Sequence, residues 1–302
     1  MVSLRRARRT VANGGFILFC YVTTAIALYA LALIFFSLVV KGIGGINANV
    51  FLMSTPAAGS TGGLANAIVG SVVLCIIGMV AAIVIGILAG TWLAEFGGNG
   101  LYAEIIRFLN DILLSAPSVL IGLFVYGLMV APEHYFLFIP NPWHGYTALA
   151  GGVALGLIAV PIITRTTEDV LKLQPQALRE AGVALGTPLW TTIRKILWKS
   201  AGSGILTGAL LAFARISGET APLLFTALNN QFQSFGPDKP WFGLTSAFTS
   251  PMASLPAVIF NFALSAYDDL VSLAWAGALI LAVAVLAANI LARLVTRERR
   301  PS

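Results

Sequence analysis

Six long runs of apolar residues alternate with shorter polar stretches along the chain. Most of them approach or exceed the roughly 20 residues that a helix needs to cross a membrane. The predicted spans are Phe16–Val40, Leu64–Leu93, Ile112–Val130, Thr147–Ile163, Ser203–Leu228 and Ser272–Leu294. The fourth is the shortest, and Pro161 is expected to end it because proline cannot donate a backbone hydrogen bond.

Helices are the only elements that fit this pattern. Strands of a membrane barrel alternate apolar and polar residues over about ten positions, whereas these runs are continuously apolar. In lipid, a helix satisfies all of its own backbone groups. The sequence therefore predicts an all-α polytopic membrane protein with six transmembrane helices.

The two ends of the chain are set apart from the main membrane domain. Phe16–Val40 carries no charge over 25 residues, which is too long for the apolar region of a signal peptide, so we expect a retained first helix. Residues 1–63 then comprise a basic N-terminus, this helix and a first external loop. Residues 64–295 form the transmembrane domain, and residues 296–302 form a C-terminal tail.

The basic residues are distributed unevenly between the two sides of the membrane. Fifteen of the 18 Lys and Arg residues fall in the N-terminus, after span two, between spans four and five, or in the C-terminus. These segments all lie on one side. Lys41 and Lys239 are on the other side, and Arg215 lies within a span. The positive-inside rule therefore predicts that both termini are cytoplasmic.

Composition excludes several classes of function. Hydrophobic residues make up 58% of the chain and charged residues only 10%, with a mean hydropathy of +0.89. About a quarter of the residues in a soluble domain are charged, so a soluble enzyme, a nucleic-acid-binding domain and a disordered protein are excluded. The net charge of +6 follows from membrane topology, and no nucleic-acid partner is expected.

The residues that commonly bind metals or act as nucleophiles are few and scattered. Cys20 and Cys75 lie in apolar runs, where each is expected to be a small buried side chain. His134 and His144 share one polar loop without a cluster of other ligands. No phosphate-binding loop or nucleophile elbow is present. We expect no metal, no cofactor and no catalytic residue.

The last external loop, from Asn229 to Val271, is longer than a simple connection requires. It contains an apolar stretch around Leu255–Leu264. We expect this loop either to dip into the membrane or to contact an external partner.

The segment 165–200, between spans four and five, is predicted to form two short helices. Thr166 or Thr167 is expected to cap the first helix. Pro175 allows the second to begin, and Gly186 is expected to end it in a left-handed conformation. A basic amphipathic stretch then leads into span five. The segment is either an amphipathic connector on the membrane surface or a docking element for a soluble partner.

Two opposite charges lie within span five. Arg215 and Glu219 are four residues apart and so share one helix face. An unpaired charge in a span costs at least about 2.5 kcal/mol, and pairing reduces that cost. The pair either serves packing alone or lines a path for a solute. In the second case an anion is favoured, because a guanidinium matches phosphate or carboxylate oxygens.

The segment 165–200 resembles the signature of the permease subunits of ABC importers, which reads E-A-A, three residues, G, nine residues, I-x-L-P. The matching positions here are Glu180, Ala181, Gly182, Gly186 and Ile196. Two features depart from the pattern. Gly182 replaces the second alanine, and Trp198-Lys199 replaces Leu-Pro. In that family this loop holds the coupling helix that docks on the ATPase.

Further stretches resemble the permeases of phosphate importers within this superfamily. They are ARISGETAPLLFTA around Arg215, Arg165-Thr166-Thr167-Glu168, Leu273-Ala274-Trp275-Ala276 and LSAPSVLIGLFVYG from Leu114 to Gly127. The resemblance covers about Leu64 to Leu294. It implies a type I (MetI-like) permease architecture in a bacterial cytoplasmic membrane.

The resemblance also implies a function and a set of partners. The chain would move inorganic phosphate by alternating access, with Arg215, Glu219 and Arg165 in the substrate pathway. Its coupling residues would be Glu180, Ala181, Gly182 and Gly186. Its partners would be an ATP-binding cassette ATPase subunit, a second permease subunit, an extracytoplasmic phosphate-binding protein and the lipid bilayer.

Three other functions remain open from the sequence. The chain could carry a different oxyanion, such as sulfate, molybdate or phosphonate. It could be a secondary transporter or channel that needs no ATP. A membrane-embedded enzyme is a third alternative, although no recurring set of carboxylates or histidines supports it.

Overall fold

The computed structural model describes residues 2–131, 145–230 and 250–297, and within them the chain is helical. His134 and His144 lie outside the described residues. The helices are α1 (Val2–Gly45), α2 (Ala48–Leu52), α3 (Ala65–Glu95), α4 (Leu101–Ser115), α5 (Ser118–Val125), α6 (Ala148–Lys172), α7 (Gln176–Ala184), α8 (Leu189–Thr192), α9 (Trp198–Ser217), α10 (Ala221–Thr226), α11 (Leu255–Ala263) and α12 (Asp268–Arg297).

Among these residues, five continuous helical stretches are long and apolar enough to cross a membrane. They are Arg8–Gly45, Ala65–Glu95, Ala148–Lys172, Leu189–Ser217 and Asp268–Leu294. A bent pair, Leu101–Ser115 with Ser118–Val130, raises the number to six if it counts as one span. The all-α polytopic class is confirmed.

The third span is not the straight helix predicted for Ile112–Val130. Its residues belong to two helices, α4 and α5, which meet at an angle of 106°. The break falls at Ala116 and Pro117, both of which have ψ angles near 130° rather than helical ones. Proline disfavours a helical conformation in the residue before it and cannot donate to the preceding turn. The chain therefore turns sharply at this point.

The fourth span continues through Pro161 to Lys172, so its predicted end was wrong. Thr166 lies inside α6, where its hydroxyl donates to the Ile162 carbonyl at 2.8 Å, and it caps no new helix. The Asn110 amide donates to the Pro161 carbonyl at 3.2 Å. The proline removes only the hydrogen bond to the carbonyl four residues earlier, that of Leu157, whereas breaking the helix would expose many more backbone groups to apolar surroundings.

The fifth span ends earlier than predicted. One helical stretch runs from Leu189 to Ser217, and α10 begins only after a break at 218–220. Gly218 follows the last helical residue, and Pro222 lies in the first turn of α10. The predicted span Ser203–Leu228 therefore consists of two helices, and residues 218–220 between them are not helical.

The core of the bundle is the packing of α3 against α6, with α9 packed against both helices. Glycines on α3 allow the two backbones to approach closely. A Cβ atom on Gly90, for example, would lie 2.5 Å from the Thr164 carbonyl oxygen. The α3–α6 contact holds the ends of both helices in place.

The apolar stretch of the last loop forms α11 and folds back against the bundle. The Leu255 N–H donates to the Ser71 hydroxyl of α3 at 2.6 Å. A Cβ atom on Gly277 of α12 would meet Ile259 of α11 at 3.1 Å. This part of the loop is therefore packed between two spans.

Candidate functional site

Arg215 and Glu219 form the expected ion pair, with Nε of the arginine 2.9 Å from Oε1 of the glutamate. They do not share one continuous helix. Arg215 occupies the last turn of α9, while Glu219 lies in the break before α10. The Glu219 N–H still donates to the Ile216 carbonyl at 3.2 Å, which holds the carboxylate near the end of the helix.

The two partners differ in exposure. The Arg215 side chain is 56% exposed and that of Glu219 only 12%. An arginine facing lipid at mid-span is costly, so the open side of this guanidinium must face water or another protein subunit. The mostly buried carboxylate of Glu219 is the counter-ion of this guanidinium.

Arg215 borders a cavity of about 90 Å³ at the elbow between α4 and α5. Ala116 and Ser118 contribute from the two sides of the elbow, and Ile158 and Ile162 contribute from α6. A volume of this size holds several water molecules or one small anion. The sharp turn at Pro117, which the sequence did not predict, therefore helps to form the space beside the arginine.

Arg165 lies one turn beyond Ile162 on α6, in the direction of segment 165–200. Its Nε is 3.4 Å from Asp169 Oδ2, and its Nη1 is 3.9 Å from Asp111 Oδ1. All three side chains are about half exposed, so the pairs are weak and easily exchanged for another anion. Arg165 thus lies on the face of α6 that Ile158 and Ile162 present to Arg215, one turn further along the helix.

The first short helix predicted in segment 165–200 is the end of α6, whereas the second is present as α7. α7 follows Pro175, and Gly186 has a φ of +73°, the left-handed conformation expected at its end. Glu180 and Ala181 are exposed. They are therefore available to a partner, whereas Gly182 faces inward.

The structure explains why glycine replaces the second alanine of the signature. A Cβ atom on Gly182 would lie 2.6 Å from the hydroxyl oxygen of Thr192, a buried residue of α8. That hydroxyl is itself 2.9 Å from the Thr187 hydroxyl, which lies 2.6 Å from the Gly182 carbonyl. The turn between α7 and α8 is therefore closed by side chains that leave no room for a methyl group.

Trp198, the other departure, donates from its indole N–H to the Thr91 hydroxyl of α3 at 3.1 Å. It also packs edge-on against Trp190, with ring centroids 5.8 Å apart. The start of α9 is thus fixed to α3 by the side chain that replaces the leucine of the signature.

Two buried carboxylates at this end of the bundle were not singled out from the sequence as partners of basic residues. Glu95 at the end of α3 accepts two hydrogen bonds from Arg179 of α7. Glu168 of α6 lies 2.7 Å from Arg107 of α4 and 2.6 Å from Lys172. The same scarcity of charge that made Arg215 conspicuous also marks Glu95, at the end of an uncharged span.

No group of three or more His, Cys, Asp or Glu side chains arranged to hold a metal occurs within residues 2–131, 145–230 and 250–297. The chemistry that the described residues offer is the reversible pairing of arginines with carboxylates.

Several apolar spans, a charged pair kept beside a cavity within them, and a compact segment of short helices at one end define an integral membrane protein of the transporter class. The chain belongs to the family of binding-protein-dependent transport system inner membrane components, whose sequence model matches residues 82–301. Members are permease subunits of ABC importers, so membership implies a binding protein and an ATPase as partners.

Individual relatives are similar over nearly the full length. The phosphate transport system permease protein PstA of Haemophilus influenzae is 45% identical over 280 residues, which cover 93% of this chain and 92% of the relative. The protein of the same name from Yersinia pestis is 46% identical over 279 residues, or 92% of this chain and 88% of the relative.

A solved structure shares the fold. A chain of the MetNI methionine ABC transporter in an inward-facing conformation superimposes with a TM-score of 0.59 at 16% identity. The match covers 78% of this chain and 95% of that chain. The predicted MetI-like permease architecture is therefore confirmed.

Proposed function

We propose that this chain is a permease subunit of an ABC importer that moves inorganic phosphate across the cytoplasmic membrane by alternating access. The observation that carries the proposal is the half-exposed Arg215 beside the cavity at the α4–α5 elbow. The 45% identity with phosphate transport permeases supports phosphate as the solute.

The Arg215–Glu219 pair suits the transient binding of an oxyanion. A guanidinium donates two parallel hydrogen bonds to two oxygens of one phosphate group. Glu219 neutralises the arginine when no solute is present and repels an anion once it has bound. This competition keeps the affinity low enough for the anion to leave, which a transporter requires.

Arg165 offers a second position for the same anion. Its pairs with Asp111 and Asp169 are longer than that of Arg215 with Glu219. An anion that leaves Arg215 and passes Ile162 of α6 would meet Arg165 next. We propose that Arg165 guides the solute towards the cytoplasmic exit.

The short helices of segment 165–200 are proposed to dock on the ATPase. Exposed Glu180 and Ala181 would contact it directly, while Gly182 and Gly186 set the shape of the turn that follows. The excess of Lys and Arg on this side predicts that it is cytoplasmic, together with both termini.

Two further partners complete the proposal. A second permease subunit would close the open side of Arg215, and an extracytoplasmic phosphate-binding protein would deliver the solute to the opposite face. Residues 64–295 would form the permease domain, with residues 1–63 adding the first helix and its flanking segments and residues 296–302 forming a cytoplasmic tail.

Reconstituted transport tests the proposal. The complex of both permeases and the ATPase is placed in liposomes with its binding protein, and uptake of radiolabelled phosphate is measured with and without ATP. We expect ATP-dependent uptake that excess phosphate inhibits and excess sulfate or molybdate does not. Inhibition by sulfate or molybdate instead would indicate another oxyanion, and uptake without ATP or ATPase would indicate a secondary transporter or channel.

A further inference from the structure

The carboxylate of Glu95 and the guanidinium of Arg179 form a buried two-pronged ion pair away from the proposed solute site. The arginine Nη2 lies 2.6 Å from Glu95 Oε1, and its Nε lies 2.9 Å from Oε2. The two side chains are only 4% and 15% exposed. The hydrogen bond to Glu95 raises the pKa of Arg179 above its ordinary value, so the guanidinium stays charged at physiological pH.

A single guanidinium joins three helices through this pair. Glu95 is the last residue of α3, and Arg179 lies in α7, 84 positions further along the chain. Arg179 also donates to the carbonyl of Leu171, near the end of α6, and to that of Gln174, both at 2.9 Å. Four of its hydrogen bonds are therefore made to the ends of the two central spans or to the turn after them.

Stability alone gives little reason to bury such a pair. The cost of removing both charges from water often equals or exceeds their attraction. A two-pronged arginine–carboxylate pair does, however, fix the relative orientation of the groups that it joins. What the pair adds here is a fixed orientation of α7 relative to α3 and α6.

α7 is held at a second point on the same face. The close contact of Gly182 with Thr192 joins it to α8, which continues into α9 and hence towards Arg215. A second ion pair, Arg107 with Glu168, joins α4 to α6. Arg107 also donates to the carbonyls of Leu93 and Gly98. The hydrogen bonds of Arg107 and Arg179 therefore connect α4 and α7 to the ends of α3 and α6.

We propose that Glu95 and Arg179 are positioning residues that transmit the movement of α7 to the central spans α3 and α6. The inference rests on the proposed function, since it assumes that α7 docks on an ATPase. Arg179 directly precedes Glu180, so a displacement imposed at the docking surface reaches this pair within one residue. Without the pair, α7 can move with the ATPase while α3 and α6 lag behind.

Charge reversal in the complete importer tests the link. The variants are Glu95→Arg, Arg179→Glu and the double reversal, with Arg179→Lys as the conservative change. Glu104→Arg, at an exposed position of α4, is the matched control. Each complex is purified and reconstituted with its binding protein, and three quantities are measured: the amount of ATPase that co-purifies, the rate of ATP hydrolysis and the rate of phosphate uptake.

We expect each single reversal to keep the ATPase bound and to raise the ATP hydrolysed per phosphate transported by roughly threefold to thirtyfold, the range typical of residues that carry coupling between sites. Arg179→Lys should give a smaller rise. The double reversal should recover part of the coupling, because it restores the ion pair but not the hydrogen bonds to the Leu171 and Gln174 carbonyls. The control should match the native chain. An unchanged ratio in both single reversals would overturn the proposal, as would a double reversal that is no better than the singles.

A cysteine pair keeps the proposal testable if the reversals do not assemble. Glu95→Cys with Arg179→Cys is made in a Cys20→Ser, Cys75→Ala background and treated with a short bis-maleimide. We expect poor coupling before treatment and recovery after it, because a covalent bridge replaces the ion pair. Coupling that is normal without the bridge, or unimproved by it, would contradict the link. Failure of the native complex to transport phosphate would instead refute the proposed function.

Discussion

Arg215 Nε lies 2.9 Å from Glu219 Oε1 although the helix that carries the arginine ends at Ser217, between the two residues. The carboxylate is thus attached to a short irregular stretch, while the guanidinium is attached to a rigid helix. An ion pair across a break can open with a small backbone change, which a pair within one helix cannot do. This arrangement suits a counter-ion that must yield to a passing anion.

Arg215→Gln is expected to reduce phosphate uptake by about tenfold to a hundredfold, because a hydrogen bond to a charged group contributes roughly 1.5–3 kcal/mol. Uptake into proteoliposomes measures the effect, and co-purification of the ATPase shows that the complex assembles. Arg215→Lys keeps the charge but not the two parallel donors of the guanidinium, and it should retain more activity than Arg215→Gln. Native uptake by Arg215→Gln would exclude Arg215 from the solute pathway.

Glu219→Gln is expected to separate binding from turnover. Without the competing carboxylate, phosphate should bind Arg215 more tightly and leave it more slowly, so both the apparent KM and the maximal rate should fall. A change of severalfold is expected in each, since the exchanged interaction is of the order of 1 kcal/mol. Initial uptake rates over a range of phosphate concentrations measure both. If the maximal rate falls while KM rises, the counter-ion role is wrong.

Glu180→Lys is expected to detach the ATPase, because the reversed charge lies on the exposed side of α7 that is proposed to dock. The measurement is the amount of ATPase that co-purifies with the tagged permease. Glu104→Lys, an equally exposed reversal on α4, is the control and should leave the complex intact. An undiminished complex in the Glu180 variant would rule out docking through this residue.

Gly182→Ala restores the alanine of the family signature, yet it should destabilise this chain. The added methyl group meets Thr192, and overpacking of this kind costs about 1–3 kcal/mol. Thermal unfolding of the purified complex should show a lower Tm. Thr192→Ala removes the atoms in closest contact, so the double variant should recover part of the loss. If the Gly182→Ala complex has the same Tm as the native complex, the turn can accommodate a methyl group and the expected clash with Thr192 is wrong.

A reporter fused after Ser302 tests the orientation. The basic residues predict a cytoplasmic C-terminus, so a cytoplasmic reporter such as green fluorescent protein should be fluorescent and a periplasmic phosphatase inactive. The opposite result would reverse the topology and place segment 165–200 on the external side, where no ATPase could reach it.

Local features of the chain predicted the pairing of Arg215 with Glu219 and six spans, a number that the described residues reach when the bent pair Leu101–Ser115 with Ser118–Val130 counts as one span. Both depend on short-range relations: a span is a run of apolar residues, and the turn in which the Glu219 N–H donates to the Ile216 carbonyl keeps the two side chains close although α9 ends between them. Gly186 was similarly predictable, because the end of a helix requires a left-handed residue. The predictions for the ends of spans three, four and five were wrong.

Those ends depended on prolines whose effects differ with their surroundings. Pro117 produces a sharp turn where α4 packs only weakly against the rest of the bundle, whereas Pro161 leaves α6 helical where α3 and α9 pack against it. The residue type is the same in both cases. The packing around it decides whether the helix breaks or continues.

By itself, the sequence determined the class of this protein, the places where the chain crosses the membrane and the charged pair kept within it, because the cost of polar groups in lipid acts residue by residue. Only the tertiary structure decided that the chain turns by 106° beside Arg215 and that Glu95 meets Arg179 across 84 positions. Such contacts depend on how whole helices pack, and no local pattern encodes which distant side chain will fill the space at a helix end.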